Sequence, residues 1–138
     1  MARINLDHIR HSYMADPKAP ADYALKEVDH VFEDGGAYAL LGPSGCGKTT
    51  FLRVIADLEQ PTSGTILVNG MTPTEARHKR AYGYVFQAPA LYPWRTIERN
   101  IALPLEIMGY PKNERRTRIQ RVLDLVNLSG FGKKYPWQ

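Results

Sequence analysis

The sequence predicts an α/β fold assembled around a phosphate-binding loop. Three observations carry that prediction. Residues 41–50 read LGPSGCGKTT, and Gly42 to Thr49 match G-x-x-x-x-G-K-S/T without mismatch. A short apolar run precedes this loop and a helical pattern follows it. Strand-type and helix-type segments alternate along the rest of the chain. At 138 residues the chain is about one domain, and its 43% hydrophobic content supplies a core.

The elements follow in chain order. RINLDHI (3–9) alternates like a strand, and YALKEVDHVF (23–32) does the same. Between them MADPKAPAD (14–22) is small and proline-containing, a surface loop. DGG (34–36) turns the chain into AYALL (37–41), whose apolar composition predicts a short buried strand. After the glycine loop, Phe51, Val54, Ile55 and Leu58 lie on one helical face. PTSG (61–64) turns into a strand at TILVN (65–69), and YGYVF (82–86) reads as another strand. Thr96 is placed to N-cap IERNIALPLEIM, with Pro104 kinking or splitting that helix. A last helix runs from about Glu114 to Leu128 and ends at Gly130. No internal repeat or low-complexity segment interrupts the pattern.

Composition excludes several classes. No stretch reaches ~18 consecutive apolar residues, so no span of a membrane is predicted. The first residues lack the apolar region of a signal peptide. The single cysteine excludes an internal disulfide and a clustered thiolate metal site, which fits a cytosolic setting. The net charge of +4 is uneven: residues 1–70 carry a balance of −3 and residues 71–138 a balance of +7. Most of the excess lies in KNERRTRIQR (112–121). There Ile119, Val122, Leu123 and Val126 fall at helical spacing, so the charges read as the solvated outer face of one helix. No aromatic residues interleave them, and no nucleic-acid partner is expected.

The glycine loop carries the chemistry. Gly42, Gly45 and Gly47 let the backbone wrap closely and turn N–H groups inward. Pro43, Ser44 and Cys46 complete the loop, and Thr50 follows it. The helix starting near Lys48 adds the positive end of its dipole. Lys48 brings a full charge to the β and γ phosphates, and Thr49 offers a hydroxyl to Mg²⁺. This motif defines a P-loop nucleotide binder and no narrower class.

Three further stretches narrow it. LKEVDHVFEDGGAYALLGPSGCGKTT (25–50), LEQPTSGTILVNG (58–70) and GYVFQAPALYPWRTIERNIALPLEIMG (83–109) resemble, in order, successive segments of ATP-binding cassette (ABC) ATPases, particularly those of bacterial importers. The resemblance covers nearly the whole chain. It implies a P-loop NTPase fold of the ABC ATPase type, with N-terminal antiparallel strands, an incomplete parallel-sheet core and the start of a helical subdomain. Residues 1–87 would form the phosphate-loop core with its β part. Residues 88–138 would form the Q-loop region and the start of the helical subdomain. The implied ligands are ATP and Mg²⁺.

Residue by residue, the resemblance gives Tyr13 the adenine-stacking role, with Tyr23 as a rival because 14–22 looks like an insertion. It makes Gln87 the Q-loop glutamine, contacting Mg²⁺ or its water. Lys48 and Gln87 would serve the reaction, and Thr49 and Gln87 the metal. Residues 88–105 would face transmembrane permease subunits, with Tyr92 and Trp94 either anchoring that interface or packing on the chain's own helices. A second ATPase subunit would complete a dimer at the cytoplasmic face of the cell membrane. The segment around FQAPALYPW resembles importers of small oxyanions such as nitrate or sulfonates, and the front half resembles polyol and sugar importers equally.

Two departures matter. Asp57 stands where the family commonly has Gly, which costs roughly 1 kcal/mol if the position is left-handed. The family also uses an acidic strand ending in Asp-Glu, an LSGGQ-type signature and a downstream histidine. No Asp-Glu dipeptide occurs here, and all four histidines (His8, His11, His30, His78) precede Gln87. Leu128-Ser129-Gly130 belongs to the loop after the last helix, not to a signature. The implied reading is an N-terminal portion of an importer's ATP-binding subunit, which couples ATP binding and hydrolysis to transport through a membrane permease; the 138 residues themselves would bind ATP without turnover. A non-transport ABC ATPase and a non-catalytic nucleotide-binding module are the alternatives.

Overall fold

Strand β1 (Ile4–His11) is the centre of a three-stranded antiparallel sheet, flanked by β2 (Leu25–Phe32) on one edge and β3 (Ser63–Val68) on the other. The computed structural model describes residues 3–138. These fall into two units, one reaching to Val85 and one from Phe86 to Gln138.

In the first unit, the alternation of β1 slips by one residue. Leu6 and Ile9 are both buried, three positions apart, because the register shifts between them and His8 takes a positive φ of 49°. Helix α1 (Lys48–Ile55) lays Phe51 and Val54 on this sheet, forming one cluster with Leu6, Ile9, Leu25, Ile66 and Val68. Burying an aliphatic side chain of this size contributes about 1.5–3 kcal/mol. Ala76 joins the cluster from a short helix, α2 (Pro73–His78). Sequence reading passed over α2, although its signal is local. Thr72 accepts from the Glu75 N–H while Glu75 reaches back to the Thr72 N–H, with Pro73 opening the helix.

Two expected strands do not form. Residues 37–41 and 82–86 have no strand structure, Leu41 is 92% exposed, and Val85 is 96% exposed. Apolar composition marks a run as one to be covered, but a strand also needs a hydrogen-bonding neighbour. Neither run has a strand pairing among the described residues, and both sheet pairings there are antiparallel. The expected incomplete parallel core is therefore not formed as strands among the described residues, where the one sheet is antiparallel.

The second unit pairs α3 (Ile97–Ile107) with α4 (Lys112–Leu125). The Thr96 hydroxyl accepts from the Arg99 N–H, as expected of an N-cap. Backbone carbonyls of Lys134 and Gly132 accept from Ile97 and Glu98, satisfying two more of the helix's free donors. Pro104 lies inside α3 without splitting it, since proline removes only one helical donor and its φ suits a helix. Helix α4 ends at Leu125, not Leu128, and its stop is Asn127 (φ 57°) rather than Gly130. Leu128 N–H then closes on the Leu123 carbonyl at 2.8 Å. Of the apolar positions predicted for this helical face, Leu123 is buried, Ile119 is half-buried, and Val122 and Val126 are exposed. No helix among the described residues is long and apolar enough to cross a membrane.

Asp57 is left-handed, with φ 54°. Its carboxylate is almost fully enclosed and accepts from Arg77 Nε at 2.7 Å, Gln60 Nε2 at 2.7 Å and Thr74 Oγ1 at 3.0 Å. Burial alone would raise its pKa; the hydrogen bonds from Arg77, Gln60 and Thr74 outweigh that and hold it below the usual carboxylate value. Replacement by glycine relieves roughly 1 kcal/mol of backbone strain but removes bonds to a charged group worth about 1.5–3 kcal/mol. Asp57→Gly is therefore expected to lower stability by about 1 kcal/mol at pH 7 in urea unfolding. A carboxyl depressed in the folded state contributes above its unfolded value of about 4 and stops contributing as pH falls through the folded value. The gap between the two proteins should close in acid; a glycine variant that is more stable at pH 7 rejects this account.

Candidate functional site

The loop 42–47 leads directly into α1, and Gly47 is the N-cap residue. Two glycines shape the loop, and one of them, Gly47, has no substitute. Gly47 has φ 95°, and a Cβ on it would lie 2.6 Å from the Ala24 carbonyl at the foot of β2. A Cβ on Gly42 would lie 2.7 Å from Cys46 Sγ, across the turn closed by Cys46 N–H to the Pro43 carbonyl. The loop thus forms a tight backbone cradle; the Cys46 thiol beside Gly42 can turn aside, but the Ala24 carbonyl behind Gly47 is main chain and leaves no room.

Lys48 folds back over this cradle. Its Nζ donates to the Gly42 carbonyl at 2.8 Å and the Pro43 carbonyl at 2.7 Å, and lies 3.5 Å from Cys46 Sγ. The ammonium thus sits on the loop that leads into α1, whose first N–H groups have no intrahelical partners. Ser44, Gly45 and Cys46 are exposed along the loop, and Thr49 is exposed one residue after Lys48. This donor set, cationic and without a carboxylate, suits a phosphate chain.

Tyr13 joins the site through Thr50. Its hydroxyl hydrogen-bonds Thr50 Oγ1 at 3.0 Å, while 64% of the residue remains exposed. Its rival Tyr23 instead lines a hollow of about 380 Å³ with Arg10, Lys18, Ala19, Pro20, Lys26 and Glu27. Ser12 secures the chain before Tyr13: its N–H donates to Thr62 Oγ1 at 2.9 Å and its hydroxyl to the Asp22 carbonyl at 2.6 Å.

Gln87 lies in the second unit, exposed and outside regular structure. Downstream of it, Tyr92 and Trp94 are 42% and 69% exposed, with ring centroids 5.0 Å apart. Sequence reading missed what holds them. Asn100 is buried on α3; its Oδ1 accepts from the Tyr92 N–H at 2.8 Å, and its Nδ2 lies within 3.1 Å of the Tyr92, Arg95 and Thr96 carbonyls. A polar residue recurring within an apolar helix face was the available signal.

The loop and the helix it opens define a P-loop fold. Residues 25–136 match the model of the ABC transporter family, and the chain belongs to that family. It is 47% identical over 116 residues to a sulfate/thiosulfate import ATP-binding protein of Synechococcus elongatus, covering 83% of this chain and 34% of that protein. It is 45% identical over 115 residues to an Fe(3+) ions import ATP-binding protein of Rhizobium meliloti, covering 83% of this chain and 29% of that one. Among solved structures, the ATP-binding cassette MJ0796, in a dimeric post-hydrolysis state bound to ADP and Pi, matches 98% of this chain and 62% of its own. The TM-score is 0.82 at 31% identity. The chain thus spans about a third of the length of the curated relatives it matches.

Two outcomes test the cradle. Lys48→Ala is expected to weaken Mg²⁺-ATP binding at least about tenfold in calorimetry, because a charge-assisted contact is lost. Its circular dichroism should not change, since the Lys48 head group touches only the loop; equal affinity rejects the phosphate assignment. Cys46 is a free, exposed thiol inside the cradle. Saturating ATP should slow its maleimide labelling, and an unchanged rate would mean that the nucleotide does not cover the loop.

Proposed function

We propose that this chain forms the nucleotide-binding part of an importer's ATP-binding subunit, in which ATP binding and hydrolysis drive a membrane permease. The observation that carries this is the intact Gly42–Thr49 cradle opening α1, in a chain of the ABC transporter family whose named relatives are import ATP-binding proteins. Lys48 exchanges the Gly42 and Pro43 carbonyls for phosphate oxygens. The N–H groups of the loop and of the start of α1 hold the remaining phosphate charge. Thr49 and Gln87 would hold Mg²⁺, which neutralises phosphate charge when bound. Tyr13 rather than Tyr23 takes the adenine, because its ring stands beside α1.

The permease would dock on residues 88–105. The exposed Tyr92 and Trp94, fixed by Asn100, support this, since rigid aromatics carry much interface energy. A second ATPase subunit would pair with this one, and the assembly would sit on the cytoplasmic face of the cell membrane. The transported substrate is left to the permease side: the named relatives import a sulfur oxyanion and a metal ion while sharing about the same identity with this chain.

These 138 residues hold Lys48, Thr49 and Gln87 but no Asp-Glu pair and no LSGGQ-type run. Turnover needs a Mg²⁺ carboxylate, a water-positioning group and charge stabilisation in the transition state. The chain as given is expected to bind ATP and release no phosphate above background, even at high protein concentration. Supplying the acidic strand and signature, in cis or as a second polypeptide, should restore turnover, and Lys48→Ala should abolish it again. Steady phosphate release by the 138 residues alone, lost in Lys48→Ala, would falsify this division of labour.

A further inference from the structure

His11 is the last residue of β1, buried, two positions before Tyr13. Its ring is anchored through Nδ1 by the segment that follows α1. The Gln60 main-chain carbonyl lies 2.8 Å from Nδ1, and a carbonyl only accepts, so Nδ1 carries the hydrogen. On the opposite side, the Glu59 carboxylate lies 3.1 Å from Nε2. These two atoms make no hydrogen bond with each other. Glu59 is held in turn by Arg53 of α1, also at 3.1 Å. The Tyr13 ring stands at 89° to the His11 ring, with centroids 4.7 Å apart. An aromatic as exposed as Tyr13 ordinarily samples several rotamers. Here its ring meets a fixed perpendicular neighbour and its hydroxyl is tied to Thr50.

We propose that His11 is a positioning residue for nucleotide binding: anchored by the Gln60 carbonyl, it sets the Tyr13 ring as the platform for adenine beside the phosphate loop. This rests on the adenine-stacking role proposed above for Tyr13. Holding an aromatic in its bound orientation removes an ordering cost from binding. The effect is confined to the base, because the phosphates meet Lys48 and the start of α1, which His11 does not contact.

The test compares ATP with inorganic tripolyphosphate, which has no base, on the whole chain with Mg²⁺. His11→Ala is expected to weaken ATP binding about tenfold and to leave tripolyphosphate within about twofold. In a Tyr13→Ala background, where the platform is gone, His11→Ala should change ATP binding no further. Tyr13→Phe, at an exposed position, keeps the ring and its His11 contact, and should weaken ATP by only about two- to threefold. The proposal is overturned if His11→Ala weakens both ligands equally, if it leaves ATP unchanged, or if its effect persists without Tyr13. Should His11→Ala fail to fold, His11→Phe, which fills the same space without either nitrogen, is judged by the same criteria. If Tyr13→Ala alone leaves ATP binding unchanged, the adenine role of Tyr13 has failed, and the proposal falls with it.

Discussion

The seating of α1 on the sheet is the contact on which the rest of the first unit depends. Phe51 and Val54 face Leu6, Ile9 and Leu25, and the Phe51 ring lies 6.2 Å from that of Phe32 on β2. That packing fixes where the N-terminus of α1 points, and so where the loop's donors converge. It also brings Gly47 against the Ala24 carbonyl, which leaves no room for a side chain at the helix cap. A charge-binding loop contributes no core of its own, so its geometry is borrowed from apolar packing one turn further along the helix.

How much of this was legible depended on whether the cause was local. The three paired strands, α1 and the Thr96 cap follow from alternation, spacing and capping chemistry, which neighbouring residues decide. The cradle followed from its motif, where each residue type has one physical task. The runs 37–41 and 82–86 were misread because apolar composition reports a need for burial and says nothing of a pairing partner. Stopping α4 at Gly130 failed for a different reason. Asn127 reaches the left-handed region as well, three residues earlier, and the helix ends at the first position that takes it.

The residues that position the site were the least legible. His11 and Asn100 are polar residues in otherwise apolar patterns, and in a sequence each passes for an imperfection of the pattern. Their partners are main-chain carbonyls of Gln60, Tyr92, Arg95 and Thr96, groups every residue carries and no sequence pattern singles out. Both buried side chains spend their hydrogen bonds on irregular backbone next to an exposed aromatic: Tyr13 in one unit, Tyr92 with Trp94 in the other. An aromatic placed to meet a ligand or partner cannot be fixed by burial, because burial would remove it from use. Fixing the backbone beneath it with an enclosed polar group is the remaining way to order it.

Left-handed positions show the same division between space and conformation. At Gly47 the conformation and the lack of room coincide, so any side chain strikes the Ala24 carbonyl. At Asp57 the backbone is left-handed as well, but the side chain has room, and it uses that room to bind Arg77, Gln60 and Thr74. These bonds tie the end of α1 to α2, while Glu59, two residues on, pairs with Arg53 of α1. A glycine at 57 would fit the backbone better and leave that turn held by fewer contacts. Since the turn carries Gln60, whose carbonyl anchors His11, the strain accepted at Asp57 also serves the proposed ordering of Tyr13 beside the phosphate loop.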